Sequence, residues 1–233
     1  MSEIYFIRHG QATYDGKNYD HLSELGREQA RVLGDYLSCR GVRFNAAYSG
    51  TLTRQRHTAE LVLSGLGQDP AMLQLAPEGN EYNSMAIMDS LLPHLPGPGP
   101  RNLAEMRALA SDRPAFRQAY ERGMLHWLTA PVGQAGPETW RGFQERVQGF
   151  VRRVMEEQGR GRRVAVFSSG GPISAVMRMA LSLEDEVALR LTWQIRNSSV
   201  SVFKYDQHRL TLHSFNSVSH LETCDRPGLI TLV

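Results

Sequence analysis

An arginine, a histidine and a glycine stand together at Arg8-His9-Gly10, directly after the apolar run Ile4-Tyr5-Phe6-Ile7. Neutral imidazole is a good nucleophile toward phosphorus, and it needs no metal when other groups neutralise the phosphate. Arg8 is permanently charged and can fork two phosphate oxygens. Gly10 permits either a close backbone approach or a positive φ. Such a tripeptide alone is weak evidence, so its surroundings decide. Three other polar stretches also follow short apolar runs: Thr51 to Arg56, Glu78 to Glu81, and Ser168-Ser169-Gly170-Gly171. The last opens a helix, and a helix start favours anions through its dipole and its free amides.

These stretches are far apart in sequence, so the elements between them must bring them together. Residues 3 to 7 read as a strand buried on both faces, because the run is apolar throughout. Ser23 caps a helix over about 24–40, with Leu25, Ala30, Leu33, Tyr36 and Leu37 on its apolar face. Residues 45–49 predict a second strand, 53–66 a helix, and 73–75 a short strand. The stretch from about 80 to 159 reads as mainly helical, broken by the Pro/Gly segment 93–100 and again at 133–137. Val164-Ala165-Val166-Phe167 predicts another buried strand, with Pro172 at the first position of the helix that follows. Residues 199–205 and 209–215 alternate with period two and predict a hairpin turning at 206–208. Strands alternating with helices predict an α/β fold with a mostly parallel sheet covered on both faces. Such sheets bind ligands outside the carboxyl ends of their strands, which is where all four polar stretches fall.

Size and composition set the outer limits. The 233 residues suit one domain, here 1–233, with about 80–159 as a helical cap or insert. Formal net charge is +2, from 26 Lys and Arg against 24 Asp and Glu. That near-balance gives no nucleic-acid footprint. The two cysteines, Cys39 and Cys224, are too few for a disulfide framework, and no Cys/His spacing suggests zinc. No signal peptide is visible, and no apolar stretch approaches the roughly 20 residues that span a bilayer. These readings predict a cytoplasmic protein with no metal, no cofactor, no membrane and no nucleic-acid partner. A homo-oligomer stays open.

The motifs, in order and spacing, resemble those of the histidine phosphatase superfamily, the phosphoglycerate mutase-like proteins. That family opens with a strand and Arg-His-Gly, as Ile7-Arg8-His9-Gly10-Gln11 does here. It continues with Leu-Ser/Thr-x-x-Gly-x-x-Gln-Ala, matched by Leu22-Ser23-Glu24-Leu25-Gly26-Arg27-Glu28-Gln29-Ala30. A strand, a serine and an arginine at the next helix start follow, then Thr-Ala; Ser49 to Leu52, Arg54, Thr58 and Ala59 look like these. The resemblance covers residues 3 to about 60 and again about 163 to 176. It implies a three-layer α/β sandwich and a small phosphorylated substrate, with His9 as phosphoryl acceptor and Arg8 and Arg54 as the phosphate clamp. Arg56 is the neighbouring candidate if the register differs. The resemblance also implies a proton-donating carboxyl group after a strand. Glu81 is preferred, because Asn80-Glu81-Tyr82 looks like the Asn-Glu-aromatic form of some branches, and Glu78 is the alternative.

The chain departs from the pattern at one place. The family carries a second histidine in a His-Gly-Gly or His-Gly-x run after the later strand, and here Ser169 stands in its position before Gly170-Gly171. A serine hydroxyl can still donate to phosphate, with Gly170 contributing backbone, but it cannot carry charge. The expected function is metal-independent hydrolysis of a phosphomonoester through phospho-His9. The alternatives are a phosphoglycerate-type mutase, or a catalytically weak phosphate-binding or regulatory protein.

Overall fold

The computed structural model describes residues 2–13, 20–224 and 226–232. The first half of the chain runs β1 (Ser2–Arg8), α1 (Glu24–Cys39), β2 (Ala46–Ser49), α2 (Thr53–Gly65), β3 (Leu73–Leu75), α3 (Ser84–Leu91) and α4 (Leu103–Ala108). It continues with α5 (Arg113–Trp127), α6 (Trp140–Gln158), β4 (Arg163–Ser168), α7 (Gly170–Leu181), α8 (Asp185–Thr192), β5 (Val200–Tyr205), β6 (Leu210–Ser217) and α9 (Ser219–Glu222). The strands form one sheet in the order β3-β2-β4-β1-β5-β6. The first four pair in parallel, and β5 and β6 extend the sheet as the antiparallel hairpin expected from their alternation.

The near-continuous apolar runs are explained by a helical layer on each face. Ile7, Ala47, Ala165 and Phe167 face α1 and α2, where Ala30, Leu33, Leu37, Ala59, Val62 and Leu63 close one core. Ile4, Phe6, Tyr48, Val164 and Val166 face the other way, into a core shared with α6 and α7 through Phe150, Val151, Val154, Ile173 and Val176. Within the stretch expected as a helical insert, α6 belongs to this sheet-covering layer, its Phe150 ring 6.0 Å from that of Tyr48. Helices α3 to α5 continue the same core away from the sheet, around Trp127, Trp140 and Phe143.

Local signals set the ends of the elements. Ser23 caps α1 by accepting from the Gly26 amide at 3.0 Å, as the sequence predicts. Helix α7 begins two residues earlier than expected, at Gly170, so Pro172 sits at its third position and not its first. No helix among the described residues is long and apolar enough to cross a membrane.

Candidate active site

The carboxyl ends of β1, β2 and β4 lie level in the sheet. Arg8 pairs with Ser168, and Ser49 with Phe167, so the loops that follow emerge side by side. His9 is the first residue past β1, and its amide donates to the Ser168 carbonyl at 2.9 Å. The chain then passes close over α1. A Cβ on Gly10 would stand 2.2 Å from the Gly26 carbonyl oxygen, and one on Gly26 would stand 2.0 Å from that of Gln11. Of the two reasons the sequence offered for Gly10, the structure therefore selects close approach. The Gly10 amide donates to Thr58 Oγ1 at 3.1 Å, and that hydroxyl donates to the Arg54 carbonyl at 2.7 Å. Gln29 accepts from the Gln11 amide at 2.8 Å, and its Nε2 donates to the Leu229 carbonyl and to Thr231 Oγ1. The motif residues Gly26, Gln29 and Thr58 thus serve to fix the backbone around His9.

His9 is 2% exposed. Its Nδ1 lies 2.7 Å from the Gly10 carbonyl oxygen, which can only accept. Nδ1 therefore carries the proton, and the Nε2 lone pair accepts from Arg54 Nε at 3.2 Å. Burial, then the charges of Arg54 and Arg8, hold the imidazole pKa well below its ordinary value, against the pull of the Gly10 carbonyl. The ring is therefore held neutral in the tautomer whose free nitrogen points at the guanidinium groups. Arg8 Nη1 donates to the carbonyls of Ile195 and Leu232, the latter at 2.6 Å. Arg54 Nη1 pairs with Asp20 at 2.9 Å, and the other Asp20 oxygen accepts from the Thr53 amide at 2.9 Å. Burial opposes the charge on Asp20, yet the hydrogen bonds from Thr53 and the Arg54 charge leave its pKa below the usual value.

Glu81 faces the same space. One carboxyl oxygen accepts from the Gly171 amide at 3.0 Å and the other from the Tyr82 amide at 3.1 Å. Burial raises its pKa above the ordinary carboxylate value despite those donors and the two arginines. A Cβ on Gly171 would fall 2.1 Å from Glu81 Oε1, so only glycine leaves the carboxyl its place. Asn80 braces this segment by accepting from the Thr51 amide and donating to Thr51 Oγ1, both at 2.7 Å. Arg146 adds hydrogen bonds to the carbonyls of Glu78 and Asn80.

Arg8, His9, Arg54, Glu81 and Gly170 form the floor of one cleft of about 350 Å³. The other candidates fall elsewhere. The Glu78 carboxylate pairs with Arg153 at 3.0 Å, away from the cleft, and Arg56 is exposed on α2. Ser169 stands behind the floor, 0% exposed, with its hydroxyl accepting from Gln55 Nε2 at 2.8 Å. It does not line the cleft, and Gln55, which engages its hydroxyl, also reaches the Gly79 carbonyl at 3.3 Å.

Sequence reasoning missed Asp20, Gln55 and the residues above the floor. Tyr82, Phe116, Tyr120 and Trp193 wall the cleft, with Thr192 and Leu232 at its side. Only Tyr82 had a signal, as the aromatic after Asn80-Glu81. Among the described residues, no group of three or more His, Cys, Asp or Glu side chains is gathered around a metal position.

The protein thus has a mostly parallel α/β sheet with a buried neutral histidine beside two arginines at the end of its first strand. The comparisons place it more closely. Residues 4–84 and 101–218 match the model of the histidine phosphatase superfamily (branch 1), and the chain belongs to that family. A 2,3-bisphosphoglycerate-dependent phosphoglycerate mutase from a Methylobacterium species is 27% identical over 191 residues, covering 78% of this chain and 82% of that protein. Among solved structures, a putative alpha-ribazole-5'-P phosphatase from Escherichia coli superposes with a TM-score of 0.62 at 25% identity, covering 93% of this chain and 97% of that one. A phosphoglycerate mutase from Bacillus anthracis gives 0.65 at 21% identity over 94% of both chains.

Proposed function

We propose that this protein hydrolyses small phosphomonoesters through a phosphohistidine on His9. His9 Nε2 attacks phosphorus, the P–O bond to the alcohol breaks, and the Glu81 carboxyl gives its proton to the departing oxygen. Water then attacks phospho-His9, giving its proton to the Glu81 carboxylate, and inorganic phosphate and free His9 are regenerated. Arg8 and Arg54 bind the phosphate and stabilise the charge on the transferring group. Gly170, at the start of α7, adds backbone to the phosphate site. The observation that carries this reading is the His9 tautomer, with Nδ1–H fixed on the Gly10 carbonyl and the Nε2 lone pair directed at Arg54. It is tested by trapping: a radiolabelled phosphoryl group should be held in an acid-labile, base-stable linkage in the wild type and absent from His9→Ala.

The mutase reading draws on the names of the relatives. Against it, the cleft carries cations only on its floor, Arg8 and Arg54, among the described residues. A phosphoglycerate has a second acidic group to neutralise. The phosphate-binder reading rests on Ser169, and a raised-pKa carboxyl beside the phosphate site has no purpose in it. Helices α3 to α5 are proposed as the cap that selects the alcohol, and the cytoplasm as the place of action.

A further inference from the structure

We infer that the preferred substrate is the phosphomonoester of an uncharged, ring-bearing alcohol, its apolar part held between α5 and the end of α8. This rests on the phosphatase reading above and extends it from the phosphate to the alcohol. Phe116 and Tyr120 lie one helical turn apart on α5, with ring planes 8° from parallel and centroids 6.4 Å apart. Trp193, just past α8, faces Tyr120 with centroids also 6.4 Å apart. All three line the cleft and are only half-buried, although rings of this size are ordinarily covered. Tyr82 backs them and is buried against Trp127 and Phe143, so its position is fixed.

The charges of the wall helices are directed elsewhere. Arg190 of α8 pairs with Glu121 and Glu186. Arg122 of α5 donates to the Pro98 carbonyl. Arg113 and Arg117 lie on the exposed side of α5 and do not line the cleft. A ligand above the phosphate therefore meets aromatic faces and, among the described residues, no cation beyond Arg8 and Arg54. Besides the hydroxyls of Ser84 and Thr192, an alcohol carrying a carboxylate would find no cationic partner there among the described residues, whereas a ring would gain contact.

The test compares 2-phenylethyl phosphate, ethyl phosphate, 3-phosphoglycerate and phosphoserine, all with alkyl leaving groups, so that reactivity is held nearly constant. The phenylethyl ester should show kcat/KM higher than ethyl phosphate by about tenfold or more, through KM, and higher still than the acidic esters. Phe116→Ala should cut the phenylethyl-to-ethyl ratio by about threefold or more. A ratio near one, or a preference for 3-phosphoglycerate or phosphoserine, overturns this inference and leaves the phosphatase reading standing. If none of the four esters labels His9 or releases phosphate, the phosphatase reading fails, and the inference fails with it.

Discussion

The floor of the cleft and its walls are built by different means. Four of the floor residues make hydrogen bonds that cross between elements. The Arg8 guanidinium reaches the Leu232 carbonyl, the His9 amide that of Ser168, the Glu81 carboxyl the Gly171 amide, and the Arg54 guanidinium Asp20. The walls present aromatic rings, Phe116 and Tyr120 on α5 and Trp193 just past α8, which contact one another face to face or tilted. Hydrogen bonds and close backbone contacts fix position sharply, which suits an in-line displacement at phosphorus. Apolar packing tolerates substitution at roughly constant volume, which suits a surface that sets preference among alcohols. On the proposed function, the reaction and the choice of substrate are therefore separable in this molecule.

The largest effect belongs at the centre of the floor. His9→Ala should lower kcat by roughly 10⁴-fold or more, with loss of the phosphohistidine label. Residual turnover near the wild-type rate would mean that the floor is not where the reaction occurs. Glu81→Gln should lower kcat by roughly 10²–10³-fold and also change the pH profile. The proposed mechanism requires His9 neutral and Glu81 protonated. Activity therefore rises as pH climbs through the low His9 pKa and falls as pH climbs through that of Glu81, which lies above the ordinary carboxylate value. Glutamine at position 81 should remove the alkaline limb and spare the acid one, measured as kcat/KM against pH.

Gly10→Ala tests whether close backbone contact fixes the floor. Its methyl group would meet the Gly26 carbonyl, and the loop must shift. We expect a stability loss of roughly 1–3 kcal/mol by denaturant melting, together with a fall in kcat that a wall substitution of equal destabilisation does not produce. The smallest effect is expected at Ser169, which touches the floor only through its neighbours. Ser169→Ala removes the acceptor for Gln55, which keeps the Gly79 carbonyl as a partner. The expected loss is about tenfold in kcat, near 1.4 kcal/mol. An unchanged rate would show that the hydroxyl has no share in the reaction.

Much of the floor was legible in the sequence because strand ends announce themselves. Apolar runs stop abruptly at Arg8, Ser49 and Ser168, and the ordered motif residues Gly26, Gln29, Arg54 and Thr58 lie within about 50 residues of His9. Asn80-Glu81-Tyr82 carried enough pattern to favour Glu81 over Glu78, and the structure places Glu81 on the cleft floor and Glu78 on Arg153. Ser169 stands at the start of α7, and its burial was not visible in the sequence. That depends on Gln55, an ordinary glutamine inside a helical pattern. Phe116, Tyr120 and Trp193 were illegible for a related reason: aromatic residues at helical spacing look the same whether they fill a core or line a cleft. The carbonyls that hold Arg8 have no sequence signal, since every residue has one.

The hydrogen bond from Arg8 to the Leu232 carbonyl joins positions 224 apart, and Gln29 reaches Leu229 and Thr231 across comparable spans. Synthesis proceeds from the amino end, so His9 and both arginines leave the ribosome long before these partners exist. A chain that has made β1, β2 and β4 still lacks the carbonyls that accept from its first arginine. The surroundings of Arg8 are thus among the last parts of the cleft to be completed, although Arg8 is among the first residues to be made.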